Sequence, residues 1–289
     1  MSFQTPEKPT AKALAKGARA FVKDNLYYFK LYIKPLIVPI IVSGVMTDIF
    51  PAFIKGQMIQ FIYMPILIFC ALLQPYLTAC FALSWHRAVL LGPKPEHAVS
   101  PFKLKPGEAG FILAFFVVGL IPLIISGVPM ALTMGAAFVL HRPAIAGIAA
   151  LPLMVLMIYS FILSMRMLFI LPAKSVNASM TWREARQVSR GLVWKLFASA
   201  FFWNLLCVLA LYACFAVIGV AAVVIYGMPN PSHPFNLSET ILMFVLVKLP
   251  IIALGMYLTA FNVTILSRLY QWSLQNRPLV VADNKDNRS

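Results

Sequence analysis

The sequence predicts an all-α protein, a polytopic transmembrane bundle of six helices, and three observations carry that expectation. The chain of 289 residues is 61% hydrophobic and 11% charged, with a mean hydropathy of +0.84, whereas soluble domains hold roughly 45–50% apolar and about 25% charged residues. Its apolar residues gather in six runs, each near or above the about 20 residues that carry a helix across about 30 Å of hydrocarbon. Its basic residues, 24 Lys and Arg against 9 Asp and Glu, give a formal net charge of +15 and crowd to one side of those runs.

Residues 1–30 form a basic segment, 31–270 the transmembrane domain and 271–289 a polar tail. In the first segment Lys12, Lys16, Arg19, Lys23 and Lys30 fall on one helical stripe, while Leu14, Phe21 and Tyr28 occupy the opposite one. That pattern suits a helix lying on an anionic membrane surface, with a flexible basic tail as the alternative. The first apolar stretch begins only near Leu31, so no cleavable leader is expected and the first span stays as an anchor.

The spans run Leu31 to Phe50, Met58 to Trp85, Phe111 to Leu140, Ala144 to Leu171, Phe197 to Tyr226 and Glu239 to Leu269. Only His141, Arg142 and Pro143 separate the third from the fourth, which predicts a tight turn there. Seven Pro residues within the spans (Pro39, Pro65, Pro75, Pro122, Pro129, Pro152 and Pro250) each remove a backbone hydrogen bond, so kinked helices are expected.

All Lys and Arg but Lys55, Arg142 and Lys248 lie on one side of the six spans or close to their ends on that side. By the positive-inside rule that side is cytoplasmic and holds both chain ends. A charge of +15 on a soluble chain would point to nucleic acid. On a lipid-embedded chain it holds loops against anionic headgroups, so membrane lipids are the expected partners and nucleic acid is not.

The sequence also resembles itself. Tyr76-Leu77-Thr78-Ala79 precedes Arg87 at the same spacing as Tyr257-Leu258-Thr259-Ala260 precedes Arg268, and the fourth span ends Ile162-Leu163-Ser164-Met165-Arg166. Arg87 is followed by a Pro-containing loop and Glu108-Ala109, and Arg166 by a Pro-containing loop and Glu184-Ala185. These echoes predict three hairpin repeats, each entered by a cytoplasmic interfacial helix. Thr181 with Glu184 forms a capping-box pattern, so a helix is expected to start there and carry Arg183, Arg186 and Arg190. Trp182 and Trp194 suit headgroup depth.

Trp85 to Gly92, Arg166 to Pro172, Trp182 to Ala185 and Ser189 to Gly191 together resemble a broad group of uncharacterised six-pass bacterial inner-membrane proteins. That group is akin to the YciC-like family and to the membrane domain fused to some glycerophosphodiester phosphodiesterases. The resemblance implies a bacterial plasma membrane and no established activity.

Catalytic signatures are sparse. No phosphate-binding Gly-rich loop, HExxH or GxSxG occurs, the four His are scattered, and Cys70, Cys80, Cys207 and Cys214 lie within apolar runs without a CxxC. No catalytic residue, cofactor or metal is expected. The chain reads as a non-enzyme, an accessory subunit or envelope-maintenance factor with a possible membrane-protein partner. The alternative is a carrier or permease for a small anionic solute or lipid.

Two sets of residues stand out. Lys248, Asn204 and Asn262 are polar groups inside spans, and a lysine at the bilayer centre is expected to face the bundle interior. His86, Arg87, Arg166, Arg183, Arg186, Arg190 and Arg268 lie where they can contact lipid headgroups.

Overall fold

A computed structural model describes residues 9–48, 63–141, 143–226 and 244–276, and every named element in it is helical. The order is α1 (Ala11–Asp24), α2 (Leu26–Asp48), α3 (Met64–Leu91), a 3₁₀ turn (Pro95–His97), α4 (Glu108–Pro122), a π turn (Leu123–Gly127), α5 (Val128–Val139) and α6 (Pro143–Met167). There follow α7 (Ile170–Ser175), α8 (Trp182–Val188), α9 (Val193–Tyr226), a second π turn (Phe244–Lys248) and α10 (Leu249–Asn276). Six helical stretches are long and apolar enough to cross a membrane: Leu26–Thr47, Met64–Leu91, Glu108–Val139, Ile148–Ser175, Val193–Ala216 and Val245–Asn276. The protein is a six-span, all-α integral membrane protein.

Several helices outrun the apolar windows, and the overhangs collect at the basic end. α3 continues to Leu91 rather than Trp85, α10 to Asn276 rather than Leu269, and the third and fifth spans open at Glu108 and Val193. Hydropathy marks hydrocarbon thickness, whereas a helix stays hydrogen-bonded into the headgroup region. The 28 residues of α3 extend about 42 Å at about 1.5 Å each, well beyond the about 30 Å of hydrocarbon. Lys55, Arg142, His233 and Glu239 lie outside the described residues.

The two π turns share a cause. Each ends two residues before a proline, Gly127 before Pro129 and Lys248 before Pro250. A proline cannot donate to the carbonyl four residues earlier, and here those carbonyls belong to Ile125 and Leu246, the middle of each turn.

The basic N-terminal segment divides at Asn25, whose backbone N–H and side-chain Nδ2 both donate to the Phe21 carbonyl, at 3.1 and 2.8 Å. Lys30 and Tyr28 therefore belong to α2, five residues before the expected boundary. α1 starts at an N-cap where Thr10 Oγ1 accepts from the Ala13 amide at 3.2 Å. It buries Leu14, Ala18 and Val22 against α9 and α10. Lys12, Lys16, Arg19 and Lys23 are exposed. The apolar stripe that pattern alone assigns to a membrane surface is thus largely taken up by the protein itself.

α3 and α10 form the centre. α2 packs on α3, α4 on α3 and α6, and α9 on α10. Most of the buried core lies toward the basic end, around Trp85, Phe81, Phe111, Phe169, Phe261 and Leu269. Away from it α5, α6 and the middle of α9 present exposed Leu, Ile, Met and Phe, the surface that lipid covers in a bilayer.

The α3–α4 connection folds back along α3. Gly92 leaves the helix at φ 89°, a region open to glycine. Tyr32 Oη donates to the Lys94 carbonyl at 2.8 Å and the Val99 amide to Ser84 Oγ at 3.0 Å. Tyr76, three turns deeper in α3, donates to the Pro101 carbonyl. These partners satisfy backbone groups that would otherwise be costly at this depth.

Candidate functional site

The arginines near the ends of α3 and α6 meet different fates. At the end of α3, Arg87 Nη1 lies 2.6 Å from Glu108 Oε1. Its Nε donates to the Ser175 carbonyl at 3.1 Å. Glu108 Oε2 accepts the Lys105 amide at 2.8 Å. With the side chains 13% and 2% exposed, this is a buried, hydrogen-bonded pair in which each charge has its complement.

In the last turn of α6, Arg166 has no carboxylate beside it among the described residues. Glu184, placed after Arg166 as Glu108 is placed after Arg87, is held by its own helix. Its Oε2 accepts the Thr181 amide at 2.6 Å and its own amide donates to Thr181 Oγ1 at 3.3 Å, the expected capping box. The Thr181 amide and hydroxyl hold the Glu184 carboxyl below the usual carboxylate range, so it remains an anion committed to Thr181. Arg166 Nε is buried with no hydrogen-bond partner.

Around Arg166 opens a cavity of about 660 Å³ lined by Arg183, Arg186 and Arg190, with Met167, Trp182 and Gln187. Residues 183, 186, 187 and 190 stand three, four and seven apart, which brings them to one face of α8 and the turn after it. Among the described residues no carboxylate lines the cavity. Like charges at this spacing repel one another, and guanidinium groups offer paired N–H donors that match carboxylate and phosphate oxygens. The arrangement is suited to holding an anion.

The other headgroup candidates are engaged within the protein. His86 is 1% exposed, its Nδ1 2.7 Å from Ser267 Oγ and its ring edge-on to Phe111. Burial between helices removes it from any headgroup. Arg87 is consumed by Glu108. Arg268 lies over the Phe21 ring at 5.8 Å and against Gly17, where a Cβ would collide with its guanidinium.

Among the intramembrane candidates, Asn204 Nδ2 donates to Asn262 Oδ1 at 3.3 Å, joining α9 to α10. Lys248 does not join them. It stands 14 residues from Asn262 along one helix, about 21 Å at about 1.5 Å per residue, and 20 residues or about 30 Å from Arg268. It is exposed rather than turned into the bundle. The count from Glu239 that puts it at mid-membrane starts outside the described residues.

Three features escaped pattern reading: the Arg87–Glu108 pair, the fold-back loop and the docking of α1. The shared Arg-loop-Glu order was the one available signal for the first. Gly17 within an otherwise Ala- and Lys-rich helix was the signal for the third. Among the described residues no three His, Cys, Asp or Glu gather to share a metal ion. Comparison with known proteins returns no match, for no family model, no curated protein and no solved structure is significantly similar to the chain.

Proposed function

We propose that this integral membrane protein binds an anionic, phosphate-bearing ligand in the arginine cavity and acts as a carrier or holder of an anionic lipid or solute, without catalysing a reaction. The observation that carries the reading is the four-arginine lining around Arg166, whose own candidate carboxylate, Glu184, is engaged by Thr181. The positive-inside distribution puts the cavity at the cytoplasmic boundary, where anionic headgroups are abundant. The sequence resemblance supports a bacterial inner membrane. The accessory-subunit or envelope-maintenance reading rests on sparse polar chemistry and offers no role for the arginine cluster.

The test is purification in neutral detergent followed by native mass spectrometry of retained lipid, for the wild type and for Arg183→Gln with Arg186→Gln. The expected result is anionic lipid on the wild type and its loss from the variant, with neutral lipid unchanged. Equal retention of anionic lipid by both proteins returns the accessory-subunit reading to first place.

A further inference from the structure

We infer that the ligand of the arginine cavity is an anionic membrane lipid rather than a soluble anion, with its phosphate at Arg166, Arg183 and Arg186 and one acyl chain along the stripe of α6 that leads away from Arg166; this rests on the anion-binding reading above. The residues 4, 7, 11 and 18 positions before Arg166 are Ile162, Tyr159, Val155 and Ile148. On a helix of about 3.6 residues per turn they fall within about 40° of Arg166. Ile162 is partly exposed and the other three are exposed. The stripe is therefore aliphatic and aromatic, uncovered by the protein and in line with a guanidinium.

Arg87 in α3 and Arg268 in α10 head no such stripe. The residues 4 and 7 positions before Arg87 are Leu83 and Cys80, those before Arg268 are Thr264 and Phe261, and all four are buried in the bundle. Arg87 and Arg268 are also turned to Glu108 and to Phe21. Arg166 combines a buried Nε without a hydrogen-bond partner, a cavity shared with Arg183 and Arg186 and a lipid-facing run along its own helix. From Arg166 to Val155 the helix covers about 16 Å at about 1.5 Å per residue, close to half of the about 30 Å hydrocarbon core and so to the depth of one acyl chain.

The two parts of the site match the two parts of a lipid. Guanidinium groups grip phosphate oxygens through paired N–H···O bonds, and the half-exposed Trp182 beside them suits headgroup depth. A lipid reaches the cavity without leaving the bilayer, because the stripe is continuous with the hydrocarbon, whereas a soluble anion uses only the arginines. The experiment uses the full chain in nanodiscs of phosphatidylcholine doped with a photoreactive lipid whose diazirine sits midway along one acyl chain. The probe carries either a phosphatidylglycerol or a phosphatidylcholine head, and labelled residues are mapped by mass spectrometry. In parallel, thermal unfolding is followed as glycerol phosphate is added, and anionic lipid retained after solubilisation is counted.

The expected result is about tenfold more labelling of residues 155–162 by the anionic probe than by the neutral one, with no such difference at the exposed Leu132 of α5 and Leu206 of α9. Arg166→Gln and Arg186→Gln each abolish the difference on α6 and change nothing at Leu132 or Leu206. Unfolding without added anion confirms that each variant is folded, and a variant that is not is replaced by Arg183→Gln. Equal labelling of residues 155–162 by the two probes overturns this inference. The anion-binding reading then stands if anionic lipid retention or stabilisation by glycerol phosphate is lost in Arg186→Gln. If the folded wild type neither retains anionic lipid nor responds to glycerol phosphate, both are overturned.

Discussion

His86 Nδ1 lies 2.7 Å from Ser267 Oγ, and each of these residues immediately precedes an arginine, Arg87 in α3 and Arg268 in α10. The neighbouring Trp85 Nε1 donates to Thr264 Oγ1, one turn before Ser267, at 2.9 Å. The two helices that share the Tyr-Leu-Thr-Ala to Arg spacing thus meet side by side at this level. Polar contacts between membrane helices couple by about 0.6 kcal/mol on average and up to about 1.7. A cycle of His86→Ala, Ser267→Ala and the double variant, followed by unfolding in detergent, is expected to show coupling in that range. Strict additivity means the contact contributes nothing.

Glu108 neutralises a guanidinium that is itself mostly buried. Glu108→Gln is expected to destabilise by about 3–5 kcal/mol, because it leaves Arg87 uncompensated. Converting both partners, Arg87→Met with Glu108→Leu, removes the charge as well as its partner and is expected to recover most of that loss. A double variant no more stable than Glu108→Gln contradicts the buried-pair account.

His97, in the 3₁₀ turn beside Arg87, titrates below its ordinary value. Burial is the main cause, Arg87 and Lys94 add to it and Glu96 opposes it. Its neutral form is therefore the folded one, so its contribution is fully present above the unfolded value of about 6.5 and declines as pH falls from there toward the lowered folded value. Amide exchange of residues 94–99, corrected for intrinsic rates, is expected to accelerate below about pH 6.5 in the wild type and not in His97→Phe. Identical acceleration in both removes His97 as the cause.

Gly17 lets the Arg268 guanidinium lie against α1. Gly17→Leu is expected to lift α1 from α9 and α10, whereas Gly17→Ala displaces only the flexible end of Arg268. Limited trypsin digestion reads the difference, with early cleavage after Lys12, Lys16 or Lys23 in the Leu variant. Equal resistance of the two variants means that α1 tolerates the bulk.

Orientation follows from charge and is open to a direct check. Reporter fusions after Lys94 and Lys174 are expected to report the cytoplasm, and fusions after Lys55, Arg142 and His233 the other side. A cytoplasmic signal at His233 breaks the six-span topology.

The spans, their number and the capping box at Thr181 were legible because each depends on residues close in sequence. Hydrocarbon transfer is nearly additive along a run such as Leu205 to Tyr212, and Thr181 and Glu184 are one turn apart. The candidate site was legible only as a set of seven headgroup contacts. Four of them, Arg166, Arg183, Arg186 and Arg190, surround one cavity, while His86, Arg87 and Arg268 turn inward to Ser267, Glu108 and Gly17. Nothing local separates Arg87 from Arg166, since both end a span and precede a loop and a Glu-Ala pair.

By itself the sequence determined a membrane-embedded, six-span, all-helical protein with one basic end, because partition into lipid and charge bias are sums over neighbouring residues. The tertiary structure decided which charges are answered inside the protein. A buried guanidinium needs a complement within hydrogen-bond reach, and whether Glu108 or Glu184 supplies it depends on how separate helices pack. It also decided that Lys248 is exposed rather than turned into the bundle, because which face of a helix is covered depends on the helices packed against it.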